Sequence, residues 1–475
     1  MIRFELPADG YMNPLNTVLA FDLILTDYAS PSTNYQRFQN NIQSVFTRGR
    51  ITYGSTPLED LVNYNVIVRM LTEHTATNQL GTMDQTSISE GIGGVTVGVG
   101  STFLSGSGIA LGSNSGASPY VNVRQAYLEG IDHTSAGLGF VPNQTANGGT
   151  QPFRRYVVNF AFGLFTQDKL IPLKFLGSAF IIELYLSTPD ACIFSQVHGA
   201  TGAAPTYQIQ NPVMIVESLQ FDSSYDASFL KGITSGGVPI KYASWHTFTS
   251  TIGNQTNISM IVQERSRSVK ALFAVQRRMP ETIFTDSHAM VFSSATNANP
   301  QSYQWVIGMR YFPAAPVQMA STLSSSFSNG AAEAFLEMQK ALNIVGDYRL
   351  STSVNVLRWA MPYVTITTDG TNPIALGESD YTCFTGGFSA SGNPTAFPAI
   401  APGAGNVGST AFAMAIDLET SNGIEISGLN AEEQSDIRLN VIYAASQASG
   451  YVMEVYSLFD ALLIIRENNE IELVQ

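Results

Sequence analysis

Residues 157–187, VVNFAFGLFTQDKLIPLKFLGSAFIIELYLS, restrict the fold more than any other stretch of the chain. Two apolar, β-rich arms flank a polar turn at Thr166, Gln167 and Asp168 and a proline-marked bend at Ile171-Pro172. In the second arm Phe180, Ile182, Leu184 and Leu186 share one face, opposite Ala179, Ile181, Glu183 and Tyr185. That is the period of a strand with one fully apolar side. A strand pair alone cannot keep so much apolar surface from water, so it must pack on a second sheet, and the expectation is a β-sandwich core. Nothing in the stretch is reactive, which points to a protein whose function is its shape.

A chain of 475 residues exceeds what one hydrophobic core supports and predicts two domains. Only 13% of residues are charged, Phe and Tyr are abundant, and Gly, Ser, Thr and Asn are plentiful, as in a large all-β protein with long polar loops. The turn signal Gly236-Gly237-Val238-Pro239 places the boundary near residue 240, giving domains 1–240 and 241–475.

In the first half, residues 17–26 and 44–54 read as strands. Thr56-Pro57-Leu58-Glu59 has the form of a capping box with proline at the first helical position, predicting a helix to about Leu71 with Leu58, Leu61 and Val62 buried. Residues 90–150 read as a Gly/Ser-rich surface insertion, with nine glycines between Gly91 and Gly116 and a short strand-like alternation at Val95, Val97 and Val99. Residues 212–221 read as a strand, and residues 224–231 as a short helix.

In the second half, strands are expected at 258–262, 269–276 and 303–311, the last closed by Phe312-Pro313-Ala314-Ala315-Pro316. A helix is expected over 331–342 with Phe335, Met338 and Leu342 on its core side. Strands and loops then alternate through VGDYRLSTSVNVLRW, YVTITTD and the loose region 386–408. The chain ends with AMAIDLE, a turn at Ser427-Gly428-Leu429, DIRLNVIYA and YVMEVYSLFDALLII. No residue-level repeat links the halves.

Chemistry is not evident. Cys192 and Cys383 are far apart and make neither a disulfide framework nor a zinc site. His74, His133, His198, His246 and His288 lack metal-ligand spacing, and neither phosphate-loop nor dinucleotide glycine patterns occur. Asp286-Ser287-His288 contains triad residue types, but neighbours on a strand point to opposite faces. Asp417 with Glu419, and Glu378 with Asp380, share strand faces, a spacing common in any β protein. No catalytic, cofactor-binding or metal-binding residues are assigned, and no cofactor is expected.

The net charge of −14 opposes broad attraction to nucleic acid. Five cations between Arg265 and Arg278 form a local patch without interleaved aromatics, and read as solvated or intersubunit charges at strand ends. No apolar segment reaches the roughly 18 residues of a membrane span, and the N-terminus lacks a secretory signal pattern. Sequons at Asn143, Asn254 and Asn257 matter only in a secretory lumen.

Several motifs in order carry a resemblance. They are GLFTQDKLIPLKF at 163–175, Gly236-Gly237-Val238-Pro239-Ile240, SRSVKALFAVQRR at 266–278 and VIGMRYFPAAPV at 306–317. Ile416-Asp417-Leu418-Glu419 before Ser427-Gly428-Leu429, and Phe459-Asp460 in the last strand, complete the set. Over the last two-thirds of its length the chain resembles the double jelly-roll major capsid proteins of polinton-like viruses and related eukaryotic DNA viruses.

The resemblance implies two jelly-roll β-sandwiches in one chain and a homotrimer that forms a pseudo-hexameric capsomer of an icosahedral virion. Neighbouring capsomers, penton and minor capsid proteins are then the partners, and the host cell is the site of synthesis and assembly. It implies no catalytic residues. The alternatives are a β-sandwich carbohydrate- or receptor-binding surface protein, such as a lectin or fibre, and, third, a polysaccharide-degrading enzyme.

Overall fold

The computed structural model describes residues 1–26, 36–38, 42–75, 154–195, 206–278, 295–296, 300–319, 332–343, 366–368, 372–374, 409–410, 413–419, 427–434, 436–443, 451–466 and 470–475. The expected insertion at 90–150, Asp286-Ser287-His288, Glu378 with Asp380, and the region 386–408 lie outside them.

Fifteen of the described strands build the two pairs of facing sheets, and a further strand, Ile471–Val474, pairs with Leu462–Ile465 of the last of them. The first half holds β1 (Ile2–Leu6), β2 (Tyr11–Thr26), β3 (Phe46–Tyr53), β4 (Thr56–Val62), β5 (Arg154–Asn159), β6 (Phe180–Leu186) and β7 (Thr206–Leu219). The second holds β8 (Val238–Ile252), β9 (Asn257–Val262), β10 (Val269–Arg278), β11 (Pro300–Ile307), β12 (Arg310–Gln318), β13 (Met414–Asp417), β14 (Ile437–Tyr443) and β15 (Tyr451–Ile465). Four helices matter below: α1 (Tyr64–Thr75), α2 (Gly163–Thr166), α3 (Ser223–Ser235) and α4 (Ala332–Ala341).

The strand order identifies the architecture. In the second half one sheet runs β8-β15-β10-β13 and the other β9-β14-β11-β12, all antiparallel. Eight strands in these two interleaved sheets are a jelly roll. The first half repeats the pattern with one strand fewer, as β1-β6-β3-β4 opposite β5-β2-β7. Among the described residues it has no counterpart of β8. The sequence is therefore duplicated in topology though not in residues, and the expected all-β class with a few short helices holds.

Each pair of sheets encloses apolar side chains. In the first half Phe21 on β2 meets Phe46 on β3 edge to face, their centroids 5.8 Å apart. In the second, the Tyr303 hydroxyl on β11 donates to the Ala415 carbonyl on β13, and the Tyr443 hydroxyl on β14 donates to Gln276 on β10. Buried hydroxyls thus meet partners in the facing sheet, which satisfies them and fixes register across the sandwich.

Three expectations need correction. The two arms of 157–187 do not pair: β5 and β6 lie in opposite sheets, with α2 between them. The alternation of Phe180, Ile182 and Leu184 is core-facing as read, whereas Leu186 is 37% exposed. Residues 56–62 form β4 rather than a helix, which begins only at Tyr64 as α1. Leu58 and Leu61 are buried but Val62 is exposed, and the register of β4 against β3 shifts around Leu58, which breaks a strict alternation.

The third concerns 303–311, which is not one strand. Ile307 pairs with Arg310 across a two-residue loop, Gly308-Met309. Gly308 has φ +60°, a conformation open to glycine at the first position of a tight hairpin turn. Pro313 and Pro316 belong to β12, the outer strand of its sheet, where a missing N–H interrupts no ladder. The helix expected at 331–342 is α4, with Phe335 and Met338 buried and Leu342 partly buried.

The absent counterpart of β8 leaves a mark. In the second half β15 is paired along both edges, and its inward Met453, Val455, Phe459 and Leu463 are at most 1% exposed. The equivalent β7 pairs only with β2 among the described residues, and Ile209, Met214 and Val216 stay partly exposed. Amide hydrogens of β15 should therefore exchange at least about tenfold more slowly than those of β7, because local opening is easiest where fewest contacts break. Equal protection of the two strands in a hydrogen-exchange experiment would contradict this assignment.

Candidate functional site

The functional feature built most deliberately is the seam where the halves meet, along β4 of the first and β8 of the second. Glu59 points inward from β4 and is 3% exposed. Its carboxylate accepts the backbone N–H of Gly163 at 2.9 Å and of Leu164 at 2.7 Å, the opening residues of α2. It also accepts the Ser244 hydroxyl of β8 at 2.9 Å. The glutamate read as a cap for its own segment thus binds the first amides of a helix a hundred residues away. Three donors from two elements meet on one carboxylate.

Around it the seam closes tightly. Tyr242 and Thr247 of β8 donate their hydroxyls to the carbonyls of Leu58 and Val62 on β4, at 3.1 and 2.9 Å. A Cβ at Gly163 would stand 1.8 Å from the Ala243 carbonyl oxygen, so only glycine lets α2 come this close to β8. At the far end Asn63, in the left-handed region at φ +57° between β4 and α1, donates its amide to Glu454 of β15 at 2.9 Å.

Glu454 also holds Arg277. The two side chains are each 3% exposed, and Arg277 Nε donates at 2.6 Å while Tyr456 donates its hydroxyl to the same carboxylate at 2.5 Å. Arg277 was expected among solvated or intersubunit charges. It is instead interior, one half of a buried pair that reaches the seam through Asn63. The other cations of that run are paired within the chain as well. Arg265 donates to the Gln434 carbonyl at 2.8 Å, Arg267 meets Glu432 at 2.9 Å and Lys270 meets Glu419 at 3.1 Å. The side chain of Arg278 lies outside the described residues.

The carboxylates weighed for catalysis are likewise engaged. Glu419 takes Lys270 and the Ser427 hydroxyl, and its own N–H donates to Asp417 at 2.9 Å. Burial raises the Asp417 pKa, and the two acids that add to the rise, Glu419 and Glu337, are themselves paired with Lys270 and Lys340. Glu264 is buried beneath His246, whose Nδ1 lies 3.2 Å away. Burial pushes its carboxyl up, yet hydrogen bonds from His246 and Ser266 outweigh this and hold it at about 2. Among the described residues no cluster of three or more His, Cys, Asp or Glu can hold a metal ion. Sequence reading missed Glu59 and Glu454, because a buried carboxylate looks like any other until its distant partners are known.

Two outcomes follow from the seam. Burial lifts the Glu59 pKa from 4.5 to about 7, against the opposing pull of the Leu164 and Gly163 amides and the Ser244 hydroxyl. Folded chains then hold more protons than unfolded ones between those values, so the Glu59 contribution to stability is full below 4.5 and declines as pH rises to 7. In denaturant titrations, wild type minus Glu59→Gln should fall by up to about 3 kcal/mol from pH 4.5 to 8. A difference independent of pH would refute it. Arg277→Ala, which strands Glu454 in the interior, should cost about 3–5 kcal/mol, read as a shift of the same midpoint.

No protein-family model and no curated protein sequence matches the chain. Among solved structures, the mavirus major capsid protein is 14% identical, aligning over 99% of this chain and 86% of its own with a TM-score of 0.47. A PBCV-1 virus capsid model is 9% identical over 100% and 92%, at a TM-score of 0.48. The Faustovirus major capsid protein is 10% identical over 98% and 87%, at 0.47. These likenesses are distant, and the jelly-roll assignment rests on the strand order itself; the chain is similar in outline, along its whole length, to viral major capsid proteins.

Proposed function

We propose that this chain is the structural subunit of a viral shell, a double jelly-roll major capsid protein with jelly rolls at 1–240 and 241–475. Its homotrimers form pseudo-hexameric capsomers that tile an icosahedral virion, and its partners are its own copies, neighbouring capsomers, and penton and minor capsid proteins. It is made and assembled in the host cell, and its role is structural rather than enzymatic.

One observation carries the reading: two of the segments that resemble capsid proteins, 163–175 and 266–278, contribute to the seam between the halves. GLFTQDKLIPLKF supplies α2, whose amides bind Glu59, and Lys169, whose ammonium donates to the Pro239 carbonyl at 3.4 Å. SRSVKALFAVQRR supplies Arg277, and also Ser268, which donates to Asp460 of the Phe459-Asp460 motif at 2.7 Å. Glu59 with its α2 and Ser244 donors, Lys169 on Pro239, and Asn63 on Glu454 hold two sandwiches side by side, which is what a tile needs. Two sandwiches per chain make a six-sided ring when three chains close.

Light scattering coupled to size exclusion should report about three times the 51.2 kDa chain mass. A stable monomer at high concentration would defeat the reading. DNA binding by the trimer should be weak and should fall steeply with salt, since each chain carries −14 and the described cations of its one basic run are already engaged.

A further inference from the structure

The β11–β12 hairpin ends in a bare apolar tip. Met309 is 95% exposed and Tyr311 beside it 58%. Between them Arg310 is exposed and has no ion pair among the described residues. A tight turn ordinarily carries small polar residues, so a methionine standing fully in water there is chemistry without a purpose in the isolated chain.

The first half holds a surface of the opposite kind. At the start of α3 a groove of about 540 Å³ is lined by Gln220, Phe221, Asp222, Ser224, Tyr225 and Ser228. Phe221 and Tyr225 form its aromatic wall, with ring centroids 4.4 Å apart and exposures of 38% and 43%. Asp222 stands exposed at the rim and caps α3, accepting the Tyr225 amide at 2.9 Å and the Ser224 hydroxyl at 2.8 Å. Those bonds lower its pKa and keep it ionised. A carboxylate offers about four acceptor positions, so it can still receive a guanidinium.

We infer that the Gly308-Met309-Arg310 tip of one copy docks into the Phe221–Tyr225 groove of a second copy. Met309 meets the aromatic wall, a favourable sulfur–ring contact, and Arg310 pairs with Asp222. The knob is on the second half and the groove on the first, so the contact is heterologous: each copy gives one surface and receives on the other. Such contacts propagate around a ring and leave no surface unused once it closes. One cation opposite one carboxylate, and one protruding thioether opposite two exposed rings in an otherwise polar groove, are complementary surfaces carried by the same chain, which favours a second copy as the occupant. The inference rests on the trimer reading above and specifies its contact.

Cysteine cross-linking of the full chain tests it. Met309→Cys with Tyr225→Cys in one chain should give covalent dimers and trimers on a non-reducing gel under mild oxidation. Either substitution alone should give none, and a mixture of the two single variants should stop at covalent dimers. Separately, Arg310→Glu should raise the concentration at the trimer-dissociation midpoint by about tenfold or more, as like charges replace the pair, with Arg310→Lys close to wild type. Both sites are exposed, so the circular dichroism spectrum of the folded chain should not change. A wild-type trimer that persists in Arg310→Glu, or a double-cysteine variant that stays uncross-linked while trimeric, overturns the inference and leaves the trimer reading standing. A monomeric wild type overturns the trimer reading itself.

Discussion

The carboxylate of Glu59 is where the two halves of the chain are tied. It is taken out of water by β4, and its oxygens meet two amides of α2 and the Ser244 hydroxyl of β8. A buried carboxylate without partners would be strongly unfavourable, so each donor must stay where it is. That demand is directional in a way that apolar packing is not. Two apolar sheets can slide on one another at modest cost, whereas three hydrogen bonds to one fixed anion allow a single arrangement. Gly163 reinforces the constraint, since the approach of α2 to Ala243 leaves no room for a side chain.

The same logic recurs at the far end of the seam. Arg277, Glu454, Tyr456 and Asn63 form a buried network, and Asn63 alone belongs to the first half. Buried ion pairs are poor sources of net stability, because desolvation offsets much of the attraction, but breaking one is costly. Their effect here is to make any misdocked arrangement of the sandwiches worse than the native one. In both halves the longest stretch between core strands is the same topological link, from β4 to β5 and from β12 to β13, and each includes a helix, α1 or α4.

How much of this was legible from sequence depends on the range of the interaction. The alternation at Phe180, Ile182 and Leu184 is a local consequence of strand geometry, and so is the helical spacing of Phe335 and Met338; both are readable without any partner. The capping box at Thr56-Pro57-Leu58-Glu59 was misread because its residue types fit a local helix start as well as they fit a strand. The competition is settled by Leu58 and Leu61 both entering the core from β4, and by Glu59 finding its amides at residues 163 and 164. Proline-rich Phe312 to Pro316 was misread as a strand end for a related reason. Only the sheet order reveals that β12 is, among the described residues, the outer strand of its sheet, where proline is harmless.

The cation-rich run at 265–278 shows why composition cannot separate interior from surface. Arg265, Arg267, Lys270 and Arg277 lie within one strand and its approach, yet their environments range from 62% exposure of the Arg267 side chain to 3% for Arg277. Strand alternation alone does not decide this, since both faces of β10 are covered over most of its length: Ala271 through Arg277 are all buried. A strand covered on both faces must be nearly apolar unless each charge has a counter-charge waiting. Arg277 has Glu454 diagonally across on β15, where Arg277 itself pairs with Val452 and Glu454 with Val275, and Glu454 also accepts from Asn63 of the first half. The charge of Arg277 is therefore neutralised within the second half, and the carboxylate that neutralises it gains one further donor, Asn63, from the first, so the buried pair also marks where the two halves meet.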